Sequence, residues 1–563
     1  MVRNSCLMLC CLVVTACVNI SFSQPRNYAL VIGIAGYPKF GERDPLRYAD
    51  GDARLFYDFI STDKGGRFSP DNVKILLNEN ATRTHILEAI RWIGQRAESE
   101  DLVYIFFSGH GVVDDKGLAY FMPYDADFQK PGIEGLRTNH FIEELQLEIN
   151  SKQLVLFVDA CHSGAAYSLD GIAKDRVNNI TYNFNQVWRE AYAKQKDVRM
   201  AILSASSNQR SYEDRNLKHG IFTWYLIQGM NGAADSAGIG DRNGVVTAGE
   251  LYRYVLDKVE YHAKHMLNGL EQSPTKSPEF APSFPLALVG NLREASDEKS
   301  QDLRSLGQKL VKKSEQALNH FSRGVDFIEK GSEDEAQIEF LKTLEIDSTF
   351  EAAYVNLGYI QQGRSNIEGA VRYYQEALTL DPNEYMAHNN LGASCLLLLD
   401  FEESTSHLTK SYTRFPTLLT ALNLGDAYRY YGYFDIALKW NQAALLALQT
   451  LEGYLKEDYA SGTWRYNYFP LYRGDNETIK QFVQVKTLDE KMTFIYFGLS
   501  FDYALKKIFD RADEEFKKAS QLLKDDKLRF FFTNRMQAIR KLIKLDETVD
   551  SWFQEHMKEL IVG

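Results

Sequence analysis

A cysteine and a histidine in the first third of the chain stand in settings that suit thiol chemistry. Cys161 belongs to the segment VLFVDACHSG, in which an apolar run stops at Asp159, two residues before the thiol. His110 belongs to the segment SGHG, which follows the apolar run of residues 102–107. A thiol becomes a strong nucleophile when an imidazole can take its proton. The pair therefore predicts attack on a carbonyl carbon by Cys161, with His110 as general acid and base.

Both segments have the composition of buried parallel strands, because β-branched and aromatic residues lead to small and polar ones. Open α/β sheets place their sites at the carboxyl edge of such strands, so two neighbouring strands would present His110 and Cys161 side by side. The structural alternatives are an inert buried cysteine and a strand-end histidine that bonds backbone. Polar neighbours such as Asp159 and Ser163 favour the nucleophile. His162 is a weaker candidate base, because alternation along an extended chain turns its side chain away from that of Cys161.

The segments around these two residues alternate between strand and helix patterns. Short apolar runs predict strands, and apolar spacings of three or four residues predict helices. The predicted strands are the two that precede His110 and Cys161, together with residues 28–34, 73–77, 118–122 and 200–204. The predicted helices are residues 47–61, 82–97, 137–149 and 221–230. This alternation predicts an α/β fold, a doubly wound and mostly parallel sheet with helices on both faces.

Together the segments SGHG and DACHSG resemble those of the caspase-like cysteine peptidases, most closely the metacaspase and bacterial caspase-like branch. The resemblance covers residues 27–289 and includes the order of the predicted elements. It implies that Cys161 and His110 form a catalytic dyad that cleaves peptide bonds. It also implies that Gly111 and the backbone amide of Cys161 donate hydrogen bonds to the oxyanion. In the family, autoprocessing often cuts after the cysteine strand, here within residues 167–198, for which the alternative is a surface excursion.

Acidic residues near these segments predict the substrate preference. Asp159 lies two residues before the thiol, and the position of Asp52 matches an acidic pocket residue of metacaspases. Two carboxylates in one pocket favour an arginine or lysine side chain. Residues 204–209 hold no carboxylate at the later acidic position of that pocket, which Glu213 or Asp214 can supply instead. The structural alternatives are a strand-end cap for Asp159 and a helix N-terminal acid for Asp52.

One acidic loop can be compared with a calcium site. The segment DRNG, which begins at Asp241, has with Glu250 the spacing of EF-hand positions 3 to 6 and 12, but position 1 would be Ile239, which has no ligand atom. The alternative is a glycine turn followed by a capping box of Thr247 with Glu250, and this is the prediction. No metal ligand and no cofactor are therefore predicted. The resemblance leaves activation by calcium open, since some relatives need it.

The second half of the chain repeats itself at a period of about 34 residues. Glycine recurs at one position of the unit, and alanine or serine holds a second. The glycines are Gly324, Gly358, Gly392 and Gly425, and the second set is Ala336, Ala370, Ser404 and Ala437. The pattern resembles tetratricopeptide repeats, helix pairs that stack into an all-α solenoid and whose concave face binds peptides or proteins. A later unit covers residues 493–522, and residues 453–487 break the period.

Charge and cysteine usage argue against two classes of protein. A net charge of −12 at pH 7 argues against a general nucleic-acid binder. Four of the six cysteines lie in the N-terminal apolar segment, which leaves Cys161 and Cys395 in different predicted domains. A disulfide framework is therefore not expected, and Cys161 should be a free thiol.

The first 23 residues have the pattern of a secretory signal. Arg3 supplies the basic start, and residues 7–18 are an apolar run too short to span a bilayer comfortably. Small residues before Gln24 predict that the mature chain starts there. One alternative is a lipoprotein, since VTAC ending at Cys17 resembles a bacterial lipobox, and another is a retained anchor. The protein is predicted to be exported, periplasmic or secreted, and to meet a membrane only if Cys17 is lipidated.

At 563 residues the chain has room for more than one hydrophobic core. The predicted domains are a signal peptide (1–23), a caspase-like peptidase domain (25–290), a charged linker (291–313), a repeat domain (314–548, with an irregular insertion at 453–487) and a C-terminal capping helix (549–563). The predicted function is that of a cysteine endopeptidase that cleaves proteins or peptides after Arg or Lys, with a protein partner on the repeats. The alternatives are a catalytically silent scaffold that acts through its repeats and a transpeptidase in which an amine replaces water.

Overall fold

The computed structural model describes residues 26–39, 46–114, 118–162, 197–206, 209–236, 238–276, 281–289, 297–415, 417–450, 464–466, 483–485 and 487–562. For residues 161–162, 297–304, 447, 449–450, 464–466, 483–485 and 562 it describes the backbone alone. The predicted signal segment and nearly all of the predicted processing region, residues 167–198, lie outside the described residues. Most of the irregular segment 453–487 lies outside them as well.

The N-terminal half is built on a sheet. Its strands are β1 (Asn27–Gly33), β2 (Val73–Leu77), β3 (Leu102–Val113), β4 (Ala119–Phe121), β5 (Leu136–Arg137), β6 (Gln153–His162), β7 (Val198–Leu203), β8 (Glu213–Asp214), β9 (His219–Gly220), β10 (Val245–Thr247), β11 (Thr275–Lys276) and β12 (Pro285–Leu288). Five strands pair in parallel in the order β7-β6-β3-β1-β2. The short strands β4, β5 and β11 extend this sheet in antiparallel fashion. Within the described residues, β8 with β9 and β10 with β12 form separate two-stranded sheets.

Helices cover both faces of the parallel strands. They are α1 (Ala49–Ile60), α2 (Arg83–Gly94), α3 (Pro131–Glu134), α4 (Thr138–Glu148), α5 (Ile221–Gln228) and α6 (Ala248–Met266). Alternate residues of β3 show the layering, because Tyr104 and Phe106 belong to the apolar cluster with α1, α5 and α6. Ile105 and Phe107 belong to the cluster with α2 and α4. The predicted doubly wound α/β class of this half is confirmed.

The two strands that carry the chemical motifs run further than their apolar residues predict. β3 continues through the SGHG segment to Val113, and β6 continues to His162. Their backbones stay paired that far, since Gly111 is the register partner of His162, and β3 then folds back onto β4. The motifs therefore lie inside the strands rather than after them, because backbone pairing sets the strand ends here and side-chain hydropathy does not.

The C-terminal half is helical. Its helices are α7 (Asp297–Glu329), α8 (Glu333–Ile346), α9 (Glu351–Gly363), α10 (Ile367–Leu380), α11 (Tyr385–Leu397), α12 (Phe401–Arg414), α13 (Leu418–Tyr431), α14 (Phe434–Thr450), α15 (Leu488–Leu505), α16 (Phe509–Leu522), α17 (Asp526–Leu542) and α18 (Glu547–Val562). Two further short strands, β13 (Trp464–Tyr466) and β14 (Val483–Val485), pair with each other within the irregular segment. Residues 297–313 of the predicted linker are part of α7, which is continuous with the first repeat.

Each repeat glycine marks a point where the two helices of a pair approach closely. The glycine and its partner on the second helix are Gly324 and Phe340, Gly358 and Tyr374, Gly392 and Leu408, and Gly425 and Asn441. In the first two pairs, a Cβ added to the glycine would lie 2.5 Å from the partner ring. A larger residue would therefore push the helices apart, which explains why glycine recurs with the period of the repeat. The predicted stack of tetratricopeptide-like helix pairs is confirmed.

The two halves share one apolar core. The cluster on the α1 side of the sheet also contains Phe321 of α7 and Phe340 of α8. At its edge, the hydroxyls of Ser283 and Ser314 lie 2.7 Å apart and are buried. Among the described residues, none of the helices has the length and apolar character needed to cross a bilayer.

Candidate active site

His110 and Cys161 stand opposite each other on neighbouring parallel strands. The register of β3 and β6 pairs His110 with Cys161, and two residues earlier it pairs Ser108 with Asp159. Neighbouring strands lie about 4.8 Å apart. Two residues that are distant in the chain are thus adjacent at the carboxyl end of the central strands, which is where α/β sheets form their sites.

The imidazole of His110 is held between aromatic rings. The side chain is 1% exposed. Its ring centroid lies 5.1 Å from that of Tyr37 and 5.6 Å from that of Phe128. The backbone N–H of His110 donates to the Tyr37 hydroxyl at 2.8 Å. Packing on two rings, together with a fixed backbone, restricts the imidazole to few orientations, as a proton carrier at a defined place requires.

The predicted pocket acid Asp52 is buried at the start of α1, with 1% exposure. Its Oδ1 lies 2.8 Å from Nδ1 of His219, and the Ser108 hydroxyl and the Gly220 N–H donate to the same carboxylate. Burial raises the pKa of Asp52 to about 7. The hydrogen bond from His219 acts in the opposite direction, and the charge of Asp159 raises the pKa further. Asp52 therefore changes charge close to neutral pH.

The predicted pocket acid Asp159 is also buried. The Ser211 hydroxyl donates to its Oδ1 at 2.6 Å, while the hydroxyl and the backbone N–H of Thr223 donate to Oδ2 at 2.6 and 3.2 Å. Burial raises the pKa of Asp159, and these hydrogen bonds partly offset the rise. The donors fix both oxygens of a carboxylate that stands two residues before the cysteine on β6.

Gly220 brings the two carboxylates together. A Cβ at this position would lie 2.5 Å from Oδ2 of Asp159 and 3.0 Å from Oδ2 of Asp52. Only hydrogen therefore fits between the two acids and β9. Both carboxylates therefore approach the same backbone position and lie close to each other, so the charge of each affects the other.

Glu213 is the third predicted acid, and it lies close enough to Asp159 for the charge of that residue to act on it. It is half-buried, and its carboxylate accepts from the backbone N–H groups of Arg47 and Tyr48 before α1. Burial raises its pKa, and the charge of Asp159 contributes to the rise. Its neighbour Asp214 points elsewhere, since it lies 2.8 Å from Nε2 of His262 on α6. Of the two sequence candidates, Glu213 is the one near the pocket.

Several partners of the acids have no signal in the sequence. His219, Ser211 and Thr223 hold the carboxylates although they lie at least 52 residues from them in the chain. The nearest signal in the sequence is that His219 and a glycine come directly before an apolar helix, and this pattern does not identify a partner for His219. The role of Gly111 and of the Cys161 amide as oxyanion donors stays a prediction. Gly111 lies on β3 directly after His110, as the prediction needs.

The acidic loop before α6 forms the predicted turn. Thr247 and Glu250 form a complete capping box, and Glu250 also accepts from the N–H of Asp241 at 3.0 Å. Asp235, which the sequence comparison left out, brings a carboxylate oxygen within 4.8 Å of those of Asp241 and Glu250. Its own carboxylate accepts from the backbone of Asn243 at 3.1 Å. Hydrogen bonds within the loop therefore account for its shape, as the predicted turn and capping box require.

Comparison with known proteins finds similarity in the N-terminal half. Residues 26–282 match the family model described as the caspase domain. Metacaspase-1 from Saccharomyces cerevisiae is 28% identical over 170 residues, which is 27% of this chain and 38% of the yeast protein. Metacaspase-1 from Meyerozyma guilliermondii is 30% identical over 169 residues, 27% of this chain and 40% of that protein. The chain thus spans less than half the length of the curated relatives it matches.

Solved structures resemble the repeat-containing part more distantly. A structure described as the functional characterisation of pilF from Pseudomonas aeruginosa is 14% identical, with a TM-score of 0.29, over 45% of this chain and 94% of that one. YrrB, described as a tetratricopeptide-repeat protein with an unusual peptide-binding site, is 15% identical, with a TM-score of 0.26, over 37% of this chain and 87% of that one. These likenesses are too distant to support an argument about this chain.

Proposed function

We propose, on the premise that residues 26–282 are a caspase domain of the cysteine peptidase family, that the protein is an endopeptidase that cuts after Arg or Lys. Cys161 is the nucleophile and His110 the general acid and base. The observation that carries the proposal is the register of β3 and β6, which sets these two residues opposite each other beside Asp159. A nucleophile, a base and an acidic pocket then share one edge of the sheet.

The proposed reaction follows from these roles. His110 takes the proton of the Cys161 thiol, and the sulfur attacks the carbonyl carbon of the peptide. The Gly111 N–H and the Cys161 N–H bind the resulting oxyanion. His110 gives the proton to the leaving amine, which departs as the new N-terminus and leaves a thioester on Cys161. His110 then takes a proton from water, whose oxygen attacks the thioester and releases the new carboxylate and the thiol.

Substrate preference is proposed to come from Asp52, Asp159 and Glu213. Their side chains lie close enough for the charge of Asp159 to raise the pKa of each of the other two. Three acids in one place make burial of their negative charge unfavourable until a cation arrives. An arginine or lysine side chain supplies that cation, whereas an acidic side chain would add to the repulsion.

The proposal is tested by cleaving a peptide library with the purified mature protein, with and without calcium. We expect new C-termini that end in Arg or Lys, identified by mass spectrometry of the products. Products that end mainly in acidic or apolar residues would contradict the assigned pocket. Products joined to an added amine would indicate transfer in place of hydrolysis.

The titration of Asp52 predicts a pH dependence of specificity. Two reporter peptides that end in arginine and in citrulline, its uncharged isostere, are compared by the ratio of kcat/KM. Because Asp52 loses its proton as the pH rises through about 7, we expect the arginine preference to rise about tenfold between pH 6 and pH 8. The titration of Cys161 and His110 changes kcat/KM of both reporters equally, so it has no effect on their ratio. Because His219 and Asp159 act on the same carboxylate, the change in preference extends over more than one pH unit.

Asp52→Asn is the matched control for this pH dependence, and its ratio should be flat over the same interval. Stability gives a second readout that does not need activity. A carboxyl whose pKa is raised in the folded state stabilises the protein below about pH 4, and this contribution is lost as the pH rises through about 7. Asp52→Asn should therefore raise the thermal midpoint more at pH 8 than at pH 5. An arginine preference that stays constant with pH in the unmodified protein would refute the role of Asp52.

The repeat domain and the N-terminal segment complete the proposal. We propose that the repeats bind a protein that is a substrate or a regulator, and that the protein is exported after cleavage before Gln24. Mass spectrometry of the protein from its native host tests the second point, since it distinguishes a free Gln24 terminus from a lipid on Cys17.

A further inference from the structure

A glutamine outside the predicted site is linked to the carboxylate of Asp159 through two hydrogen bonds, with the Ser211 hydroxyl between them. Gln272 is 1% exposed, and its amide nitrogen donates to the Ser211 hydroxyl at 3.0 Å and to the Ser204 carbonyl at 2.9 Å. Its amide oxygen accepts from the Tyr212 N–H at 2.8 Å. A hydroxyl has a single proton to donate. The bond from Gln272 therefore leaves the proton of Ser211 for Oδ1 of Asp159, 2.6 Å away.

The residues that follow Gln272 are also held by hydrogen bonds and by strand pairing. The Ser273 N–H donates to the side chain of Gln209 at 2.7 Å, and the carbonyl of Pro274 accepts from the hydroxyl of Tyr252 on α6 at 3.4 Å. Beyond them, β11 pairs with β7, with Thr275 opposite Leu203. Each residue of the segment 272–276 thus has a contact that holds it. A short segment held in this way transmits a displacement from one end to the other.

The far end of the segment is fixed by the repeat domain. Lys276 is the second residue of β11, and its side chain is 4% exposed. Its ammonium group forms an ion pair with Glu351 at the start of α9, and it lies 3.3 Å from Asp381 at the end of α10. It also lies 5.3 Å from the ring centroid of Tyr252. A buried ammonium ion needs such partners, because removal of one leaves an uncompensated charge.

We propose that Gln272 is a positioning residue for Asp159 and that the repeat domain holds it in place through Lys276. The inference rests on the proposed function, since it gives the pocket wall a role in binding the basic side chain. It makes the first repeats a structural component of the substrate pocket, in addition to any partner they bind. Disturbance of Glu351 and Asp381 is then felt at Asp159, although neither residue is near the substrate.

Gln272→Met tests the first half of the proposal. Methionine has a similar length but cannot donate to Ser211 or accept from Tyr212. We expect KM for an arginine-ending reporter to rise about tenfold, as for loss of a hydrogen bond that supports a charged group, while kcat changes less than about twofold. A fall of kcat with unchanged KM would instead indicate general damage to the fold and would overturn the positioning role.

A pair of variants in the repeat domain tests the second half. Glu351→Gln with Asp381→Asn removes both carboxylates that face Lys276. Arg414→Gln is the matched control, because Arg414 forms a 2.8 Å ion pair across the same interface with Glu260 of α6 rather than with Lys276. We expect KM for the arginine reporter to rise about fivefold or more in the double variant and less than about twofold in the control.

Hydrogen exchange of the full chain provides a readout that does not need activity, and it is measured in a Cys161→Ala background. The amides of residues 209–214 should exchange about tenfold faster in the double variant and in Gln272→Met, with no change in Arg414→Gln. Asp381→Asn alone keeps the ion pair between Lys276 and Glu351 and should give a smaller increase in exchange. This single variant keeps the coupling testable if the double variant fails to fold. Equal exchange in the double variant and the control would overturn the coupling. If the double variant exchanges faster but the unmodified protein has no peptidase activity, the proposed function is refuted and the coupling between the repeats and residues 209–214 stands.

Discussion

Cys161→Ala should lower kcat/KM for an arginine-ending reporter by at least about 10³-fold. The reason is that the reaction proceeds through a thioester, and a methyl group cannot form one. His110→Ala should cause a loss of similar size, because without the imidazole the thiol keeps its proton and the leaving amine receives none. The double variant should be no worse than either single one, since two groups that act as a unit lose their effect together. The measurement is initial rates on purified variants with unchanged thermal midpoints.

Cys395→Ala is the control for the loss of a thiol. Cys395 lies on α11 in the repeat domain, where burial raises the pKa of its thiol to about 11, so that very little thiolate forms at neutral pH. This variant should keep full activity. A thiol-directed peptidyl inhibitor that ends in arginine should label the unmodified protein and Cys395→Ala equally, and Cys161→Ala not at all. Activity above a tenth of the original in Cys161→Ala would eliminate the dyad, and the absence of both activity and labelling in the unmodified protein would favour the silent scaffold.

Asp159→Asn should lower kcat/KM for arginine- and lysine-ending reporters by about 10²-fold while changing the citrulline reporter by less than about threefold. Asparagine keeps the shape of the side chain but removes the charge. The effect should be large because Asp159 is buried between Ser211 and Thr223, where water screens its attraction for a cation only weakly. The result is read as the change in the ratio between the reporters, which does not depend on the amount of active protein.

Asp214→Asn is the matched control, since it makes the same chemical change at another buried acid of the N-terminal half. Burial raises the pKa of Asp214, but the bonds from His262 and from backbone N–H groups outweigh burial, and the pKa is lowered. The carboxylate of Asp214 is paired with His262 on α6. We expect the arginine preference of Asp214→Asn to be unchanged. Loss of preference in this variant, with no loss in Asp159→Asn, would reassign the pocket.

The local patterns of the sequence were sufficient for the dyad strands and for the repeats. An apolar run before His110 and another before Cys161 predict neighbouring strands, and the structure pairs the two residues in register. The recurrence of Gly324 and Gly358 predicts helix pairs, because the close approach of two helices recurs with the repeat. In both cases the information lies within one element or one period, so that no knowledge of distant packing is needed.

The ends of elements were predicted less well. β3 and β6 extend beyond their apolar runs, because pairing of their backbones continues to Gly111 and His162. The segment before the repeats was predicted as a helical or flexible linker, and residues 297–313 of it form the first turns of α7, so that the helix begins well before the first repeat. Pairing partners and packing surfaces decide where an element stops, and a charged sequence can continue a helix as long as one face is covered.

The amino-acid sequence by itself determined the kinds of element, the period of the repeats and the two residues proposed to do the chemistry, because these depend on neighbours in the chain. Only the tertiary structure decided which acids meet. His219 reaches Asp52 across 167 residues, Glu213 lies within the influence of the charge of Asp159 while Asp214 pairs with His262, and Lys276 joins β11 to the repeats. Such contacts arise when separate elements pack, and the pKa of each carboxyl then follows from burial and partners that no local pattern contains.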